Sequence, residues 1–212
     1  MAIGDDRGRD KRRRAFWLKQ LHQWHWVSAA ISLVGMILFS VTGITLNHAA
    51  EIRSEAGVER IAAEMPPDLL ELLDDVGADD APLPEDVRRW LARAVGVKAG
   101  ARTGEWSEDE IYLSLAGPGS DAWLAIDRKT GAVEYERRDR GWIAYLNDLH
   151  KGRDTGAAWR WFIDVFALAC IVFSVTGLFL LQLHAERRPG TWPLVGLGFI
   201  VPFLLAVFFI HG

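Results

Sequence analysis

Six histidines are the residues of this chain best suited to chemistry: His22, His25, His48, His150, His184 and His211. A neutral imidazole binds transition metals and haem iron through one ring nitrogen. The six are unevenly placed, with none between His48 and His150. His22 and His25 precede the uncharged run 26–46 and His48 follows it; His150 precedes the uncharged run 165–183 and His184 follows it; His211 ends the uncharged run 191–210. A single histidine at a helix end is ordinarily an interfacial side chain, but three at each end of a set of membrane crossings can converge. Imidazoles on facing helices can ligate a haem iron from both sides. His22 and His25 stand at i and i+3 on one helix face, so one would ligate and the other would hydrogen-bond a propionate. The expectation is a bis-imidazole b-type haem, with two such groups forming an electron path across the bilayer. Zinc or copper held by a histidine triad is the competing chemistry, disfavoured because no carboxylate or thiol stands in helical register with these rings.

The elements that would position these rings are long and apolar. Residues 26–46, 165–183 and 191–210 hold no charge, and each covers roughly 30 Å as a helix, the thickness of the hydrocarbon core. Three transmembrane helices are expected, over 26–48, 159–183 and 191–211. Seven Lys/Arg lie in residues 1–25, and Arg187 and Arg188 lie in the short loop 184–190. The positive-inside rule then places 1–25 and 184–190 in the cytoplasm, with 49–155 and the C-terminus outside. The localisation expected is a bacterial inner membrane, crossed several times. The first run is too long for a cleaved signal peptide and exits into LNHAAEIR without an A-x-A-like site, so it reads as an uncleaved anchor. The exterior segment 49–155 carries 23 acidic and 14 basic residues, which gives nucleic-acid binding no support. Cys170, the only cysteine, lies mid-helix, so no internal disulfide or cysteine metal cluster can form.

The pentapeptide FSVTG occurs twice, at 39–43 and 173–177, late in each of the first two runs. Trp24 and Trp26 precede the first copy, and Trp159 and Trp161 the second, at closely similar distances. Similar wording crossing in opposite directions is the pattern of an inverted repeat. The small residues suit close helix packing. Alternatively Gly43 and Gly177 make room for a flat cofactor, and spacing alone leaves both readings open. Arg160 and Asp164, at i and i+4, are expected to pair at the mouth of the second helix, with a propionate as the other partner for Arg160. Pro202 should kink the third helix, and Pro193 suits a first helical turn.

The exterior segment reads as a small α+β layer. Residues 49–76 look helical and polar, broken at Pro66-Pro67, and 77–86 reads as a linker ending in Pro84-Glu85-Asp86, a helix start. Val87, Trp90, Leu91, Ala94 and Val95 give an amphipathic helix. Three strands then follow, through Ile111, Leu113 and Leu115; through Trp123, Ala125 and Asp127; and through Val133 and Tyr135. A DRKTGA hairpin turn at 127–132 uses Gly131 at positive φ. The segment WIAYLNDLHKG, 142–152, leads into the second crossing.

LHQWHWVSAAISLVGMILFSVTGITLNH, AWLAIDRKTGAVEYERRDRG, LNDLHKG and the second SVTG helix together resemble the PepSY-associated transmembrane helix family, over about Leu21 to Pro193. The resemblance implies a membrane all-α core of three helices, the first two inverted-repeat-like, with a small extracytoplasmic α+β PepSY-like domain. Larger relatives include haem-containing ferric-siderophore reductases. Carried over, His22 of LHQW and His150 of LHKG are the matching haem-iron ligands, while His48 and His184 are added from topology. Other relatives are regulatory modules without catalysis, so a protein-binding or accessory-subunit role is the alternative. This chain departs from the reductases in having fewer helices and one PepSY-like unit. It also lacks a G-x-G-x-x-G turn after a strand, so electrons would come from a quinol or a membrane redox partner. Association as a homodimer or within a larger membrane complex is compatible with either role.

Overall fold

The computed structural model describes residues 3–52, 57–74 and 81–210. His211, the side chain of Arg187 and the 77–80 part of the expected linker lie outside the described residues. Contacts divide the chain into two compact units, Met1–Leu38 with Trp161–Gly212, and Phe39–Arg160.

Three helices are long and apolar enough to cross a membrane: Arg9–Asn47, Ala157–His184 and Thr191–Ile210. The chain is a membrane protein on this evidence. Helix α1 runs unbroken from Ile3 to Asn47, so the basic segment expected to precede the membrane helix continues it. Among its first residues only Gly4 and Gly8 are poor helix formers, and the Arg/Lys-rich stretch 9–14 propagates the helix well. Helix α5 spans Ala157–His184, a 3₁₀ turn spans Ala185–Arg187, and α6 spans Thr191–Leu205. Pro193 falls in the first turn of α6 as expected. Pro202 offers no N–H to the carbonyl one turn back, and the helix passes into a π turn over Ala206–Ile210.

In the first unit, polarity is turned inside out. The buried polar side chains are Ser28, Ser32 and Thr176, whereas Phe199, Phe208 and Phe209 are largely exposed. Hydrocarbon solvates the apolar side chains, and hydroxyls must find partners within the protein. Ser28 Oγ donates to Trp24 O at 2.7 Å and Ser32 Oγ to Ser28 O at 2.7 Å, each satisfied within its own helix. At Gly35 an added Cβ would collide with the Phe166 ring, so α1 and α5 pack closely there through a glycine outside FSVTG.

The second unit has a conventional interior. Five antiparallel strands are ordered β1-β5-β4-β3-β2: β1 Gly57–Glu64, β2 Glu105–Trp106, β3 Glu110–Ser114, β4 Ser120–Asp127 and β5 Ala132–Asp139. Helices α2 (Pro67–Asp74) and α3 (Glu85–Ala94) contribute Leu73, Val87 and Leu91 to a core shared with Ile111, Leu113, Leu124, Ile126 and Val133. Helix α3 begins after Pro84 with Glu85 and Asp86 in its first turn, as the sequence indicates. The DRKTGA turn also forms: Gly131 has φ +74, and Asp127 Oδ1 accepts from the N–H groups of Lys129 and Thr130. Those two N–H groups hold the Asp127 carboxyl below its usual range.

Two expectations for this unit fail. Residues 57–64, read as helical, form β1, because their backbone pairs with β5 along the whole strand from Gly57↔Asp139 to Glu64↔Ala132. Tertiary pairing overrides an Ala- and Glu-rich local preference. In β4 it is Ala122, Leu124 and Ile126 that enter the core, not Trp123, Ala125 and Asp127. The inversion follows from the two-residue period of a strand, where a shift of one exchanges faces. Trp123 instead stacks on Tyr112 across the open face, with ring centroids 6.3 Å apart.

Candidate functional site: two histidine seats

Each copy of FSVTG receives one histidine ring, and the same three positions of the motif make the contact. In the first unit, His25 of α1 stacks on Phe173 of α5, with ring centroids 4.6 Å apart and planes at 17°. Its Nδ1 lies 3.0 Å from Thr176 Oγ1 and 3.2 Å from Phe173 O. A Cβ on Gly177 would stand 3.3 Å from the His25 Cε1, so the glycine clears the ring edge. In the second unit, His150 packs on Phe39 at 4.9 Å, and its Nδ1 lies 2.7 Å from Thr42 Oγ1. A Cβ on Gly43 would stand 3.7 Å from the His150 Cε1. Phe at the first position, Thr at the fourth and Gly at the fifth fall on one helical face, which is why the pentapeptide works as a unit. The flat group lying against each glycine is thus an imidazole.

The hydrogen bonds fix the tautomer of a neutral ring. Phe173 O can only accept, so the His25 Nδ1 carries the proton and Nε2 keeps its lone pair. Thr176 supports this by donating its own proton to Val172 O at 2.6 Å. The Thr42 hydroxyl lies 3.1 Å from Phe39 O and 2.7 Å from the His150 Nδ1, so it can serve either tautomer of that ring. His22, His48 and His184 are exposed and donate Nδ1–H to the carbonyls of Leu18, Ile44 and Leu180, each four residues back. In His22, His25, His48 and His184 a backbone carbonyl engages the Nδ1 proton and Nε2 keeps its lone pair, as in a metal-ligating histidine.

The rings differ in what surrounds them. His25 and His184 line one cavity of about 770 Å³ in the first unit, walled by Phe173, Leu178 and Leu181, with Arg188 also lining it. Of the i, i+3 pair on α1, His25 lines this cavity and His22 is not among its lining residues. Helix α4, Gly141–Lys151, carries His150 in its last turn and ends at Gly152 with φ +67, so the glycine of LHKG is a helix stop. The neighbours of His150 on α4 attach it firmly. Asn147 Oδ1 accepts from Thr45 Oγ1 at 2.8 Å. Asp148 is buried and accepts from Gly119 N at 2.9 Å and from Arg140 Nη2 at 2.6 Å. Burial alone would raise the Asp148 pKa, but the Gly119 N–H, the Arg140 guanidinium and the Lys151 ammonium outweigh it and hold the carboxyl below its ordinary value. Gly119 has φ +71, and a side chain there would meet the Tyr145 backbone at 2.8 Å, so only glycine admits α4 this closely.

The other expected site residues are placed as follows. Arg160 and Asp164 are both exposed and no ion pair joins them, so the expected local pair does not form. Among the described residues no three His, Cys, Asp or Glu side chains cluster as a metal-holding group. The Asn147, Asp148 and Gly119 attachments were not foreseen. Their only sequence signal is the polar pair Asn147-Asp148 inside an otherwise apolar helical stretch.

A family model for PepSY_TM-like proteins matches residues 16–211, which includes both FSVTG copies, the sheet and the uncharged runs of all three apolar helices. The chain belongs to the PepSY_TM-like family. No curated protein and no solved structure matches it significantly. Membership in the PepSY_TM-like family thus covers both seats and the LNDLHKG helix between them in sequence.

Proposed function

We propose that this protein is an inner-membrane b-type haem electron-transfer protein, oriented with its N-terminus in the cytoplasm and its sheet-bearing unit in the periplasm. The observation that carries the reading is the cavity lined by both His25 and His184, each presenting a lone-pair Nε2 because its Nδ1 proton is already donated. Apolar walls suit a porphyrin, and Arg188 supplies a cation for its carboxylates. Haem, when bound, supplies a one-electron iron couple. The chain's own residues hold and orient: Thr176 and Phe173 O fix the His25 tautomer, Phe173 sets the ring plane, and Gly177 lets the ring approach α5. In this reading the donor is a quinol or a membrane redox partner, and the acceptor is ferric iron or a ferric chelate outside the membrane. The basic segment 9–14 and Arg188 support the orientation.

A second reading has one observation in its favour. A histidine on a threonine and a phenylalanine is already a satisfied contact, and would clasp the helices with no cofactor at all. The protein would then be a non-catalytic accessory or regulatory module. A reduced-minus-oxidised absorption spectrum of the purified full chain, produced with ample haem, separates the two. The first reading expects b-type bands that disappear in His25→Ala and in His184→Ala and persist in His22→Ala. A colourless, folded protein, or bands indifferent to both His25→Ala and His184→Ala, overturns it.

A further inference from the structure

A second groove in the first unit has no part in the histidine chemistry. It lies between α1 and α5 and encloses about 830 Å³. From α1 it takes Asp10, Arg13, Arg14, Trp17, Leu18 and Leu21, and from α5 Phe179, Gln182 and Leu183. The α1 set follows the i, i+3, i+4, i+7, i+8, i+11 spacing of a single helix face, and the α5 set the i, i+3, i+4 spacing of another. The groove is therefore graded along its length. Two guanidiniums stand at one end, an indole comes next, and an apolar slot begins one to two turns further on. From Arg14 to Leu21 is about 10 Å of helix rise.

Its polar groups differ in what they still need. Gln182 Oε1 already accepts from Trp192 Nε1 at 2.9 Å. Arg13 and Arg14 enter no ion pair among the described residues, although Asp10 stands in the same mouth. Trp17 is 61% exposed, as an interfacial indole is when headgroups surround it. An occupant must therefore combine an anion with a chain at least as long as the apolar slot. A free anion leaves Leu18, Leu21, Phe179 and Leu183 uncovered, and a neutral amphiphile leaves the guanidiniums unmatched. Basic pockets between membrane helices that meet both needs take anionic lipid headgroups.

We propose that this groove holds one anionic phospholipid, its phosphate against Arg13 and Arg14 and an acyl chain along Leu18, Leu21, Phe179 and Leu183. The site is independent of haem. A bound lipid bridges α1 to α5 at their basic end, where the two helices would otherwise present a cleft to the bilayer.

The test uses the delipidated full chain in a neutral detergent, with retained lipid counted by native mass spectrometry after addition of phosphatidylglycerol or phosphatidylcholine. One phosphatidylglycerol per chain is expected, at about tenfold preference over phosphatidylcholine. Equal retention of the two lipids overturns the proposal. The preference should vanish in Arg13→Gln/Arg14→Gln, persist in Arg9→Gln/Lys11→Gln, and increase in Asp10→Asn. Equal loss in both double variants would mean diffuse attraction to the basic helix, with no site. Leu21→Trp fills the slot and should lower retention with the arginines intact; unchanged retention places the chain elsewhere and overturns the assignment. Millimolar inorganic phosphate should displace nothing, and displacement by it would reduce the site to a simple anion pocket. Far-ultraviolet circular dichroism confirms that each variant keeps its helices.

Discussion

The two FSVTG copies use the same chemistry on histidines of opposite provenance. The second copy, on α5, takes its ring from a membrane helix, and the ring stacks within 17° of parallel beside a cavity shared with His184. The first copy, on α1, takes its ring from α4, a short helix of the sheet-bearing unit, and the ring tilts by 42°. The seat at Phe173 is thus held by the packing of helices in lipid, where apolar side chains face outward and hydroxyls are buried. The seat at Phe39 is held by α4, which polar contacts fix to a sheet with a dry core. A motif specifies how a ring is received, while its surroundings decide what keeps the ring there.

The largest expected effect breaks the second of these arrangements alone. Asp148→Ala strips Gly119 N and Arg140 of a buried acceptor and should cost the sheet-bearing unit about 3 kcal/mol, measured by chemical denaturation. The His25 seat should be unaffected, since its partners Phe173 and Thr176 belong with it to the first unit. Acid should act in the same way. The Asp148 pKa is lower folded than its ordinary 3.8, so its contribution is complete above that pH and lost as pH falls through the lower folded value. An α4 docking that does not weaken at all as pH is lowered below 3.8, judged by amide exchange at Gly119, would contradict this.

A smaller effect probes what the seats share. Thr42→Val and Thr176→Val each remove a hydroxyl acceptor of similar shape, at a cost of about 1 kcal/mol. They should differ in tautomer. His25 keeps Phe173 O as an acceptor for Nδ1–H, whereas His150 loses the hydroxyl that meets its Nδ1 and its tautomer balance should move. Nitrogen-15 chemical shifts of the two imidazoles read this directly, and an unchanged His150 ring in Thr42→Val would remove threonine from the account.

The smallest effect is a matter of tenths of an ångström. Gly177→Ala presses a methyl to 3.3 Å from the His25 ring, tighter than most real contacts, whereas Gly43→Ala leaves 3.7 Å at His150, an ordinary distance. Gly177→Ala should therefore displace its histidine signals and destabilise slightly. Gly43→Ala should be nearly silent, or slightly stabilising through better helix propensity.

How far the sequence discloses these features depends on the range of the forces that make them. Three apolar helices, the DRKTGA turn and the amphipathic α3 are local patterns, and all are legible in the chain. The FSVTG repeat is legible too, and so is the need for space at Gly177. That the space serves an imidazole, and that His25 rather than His22 lines the cavity, depends on which face of α1 meets α5. Nothing in the spacing of either helix states that register. Residues 57–64 mislead for a related reason, since only their pairing with β5 makes them a strand. Asp148 is invisible for the opposite reason: its partners Gly119 and Arg140 come from outside its own turn, and a lone acid in a helix ordinarily faces water.

Helix α4 sends Asn147, Asp148 and His150 to three different recipients within one turn: Thr45, the Gly119–Arg140 pair and Thr42. Inserting or deleting one residue there would swing everything downstream by about 100° around the helix axis and unhook several of these contacts together. The LNDLHKG stretch should consequently tolerate no change of length, even one that keeps Asn147, Asp148 and His150 themselves.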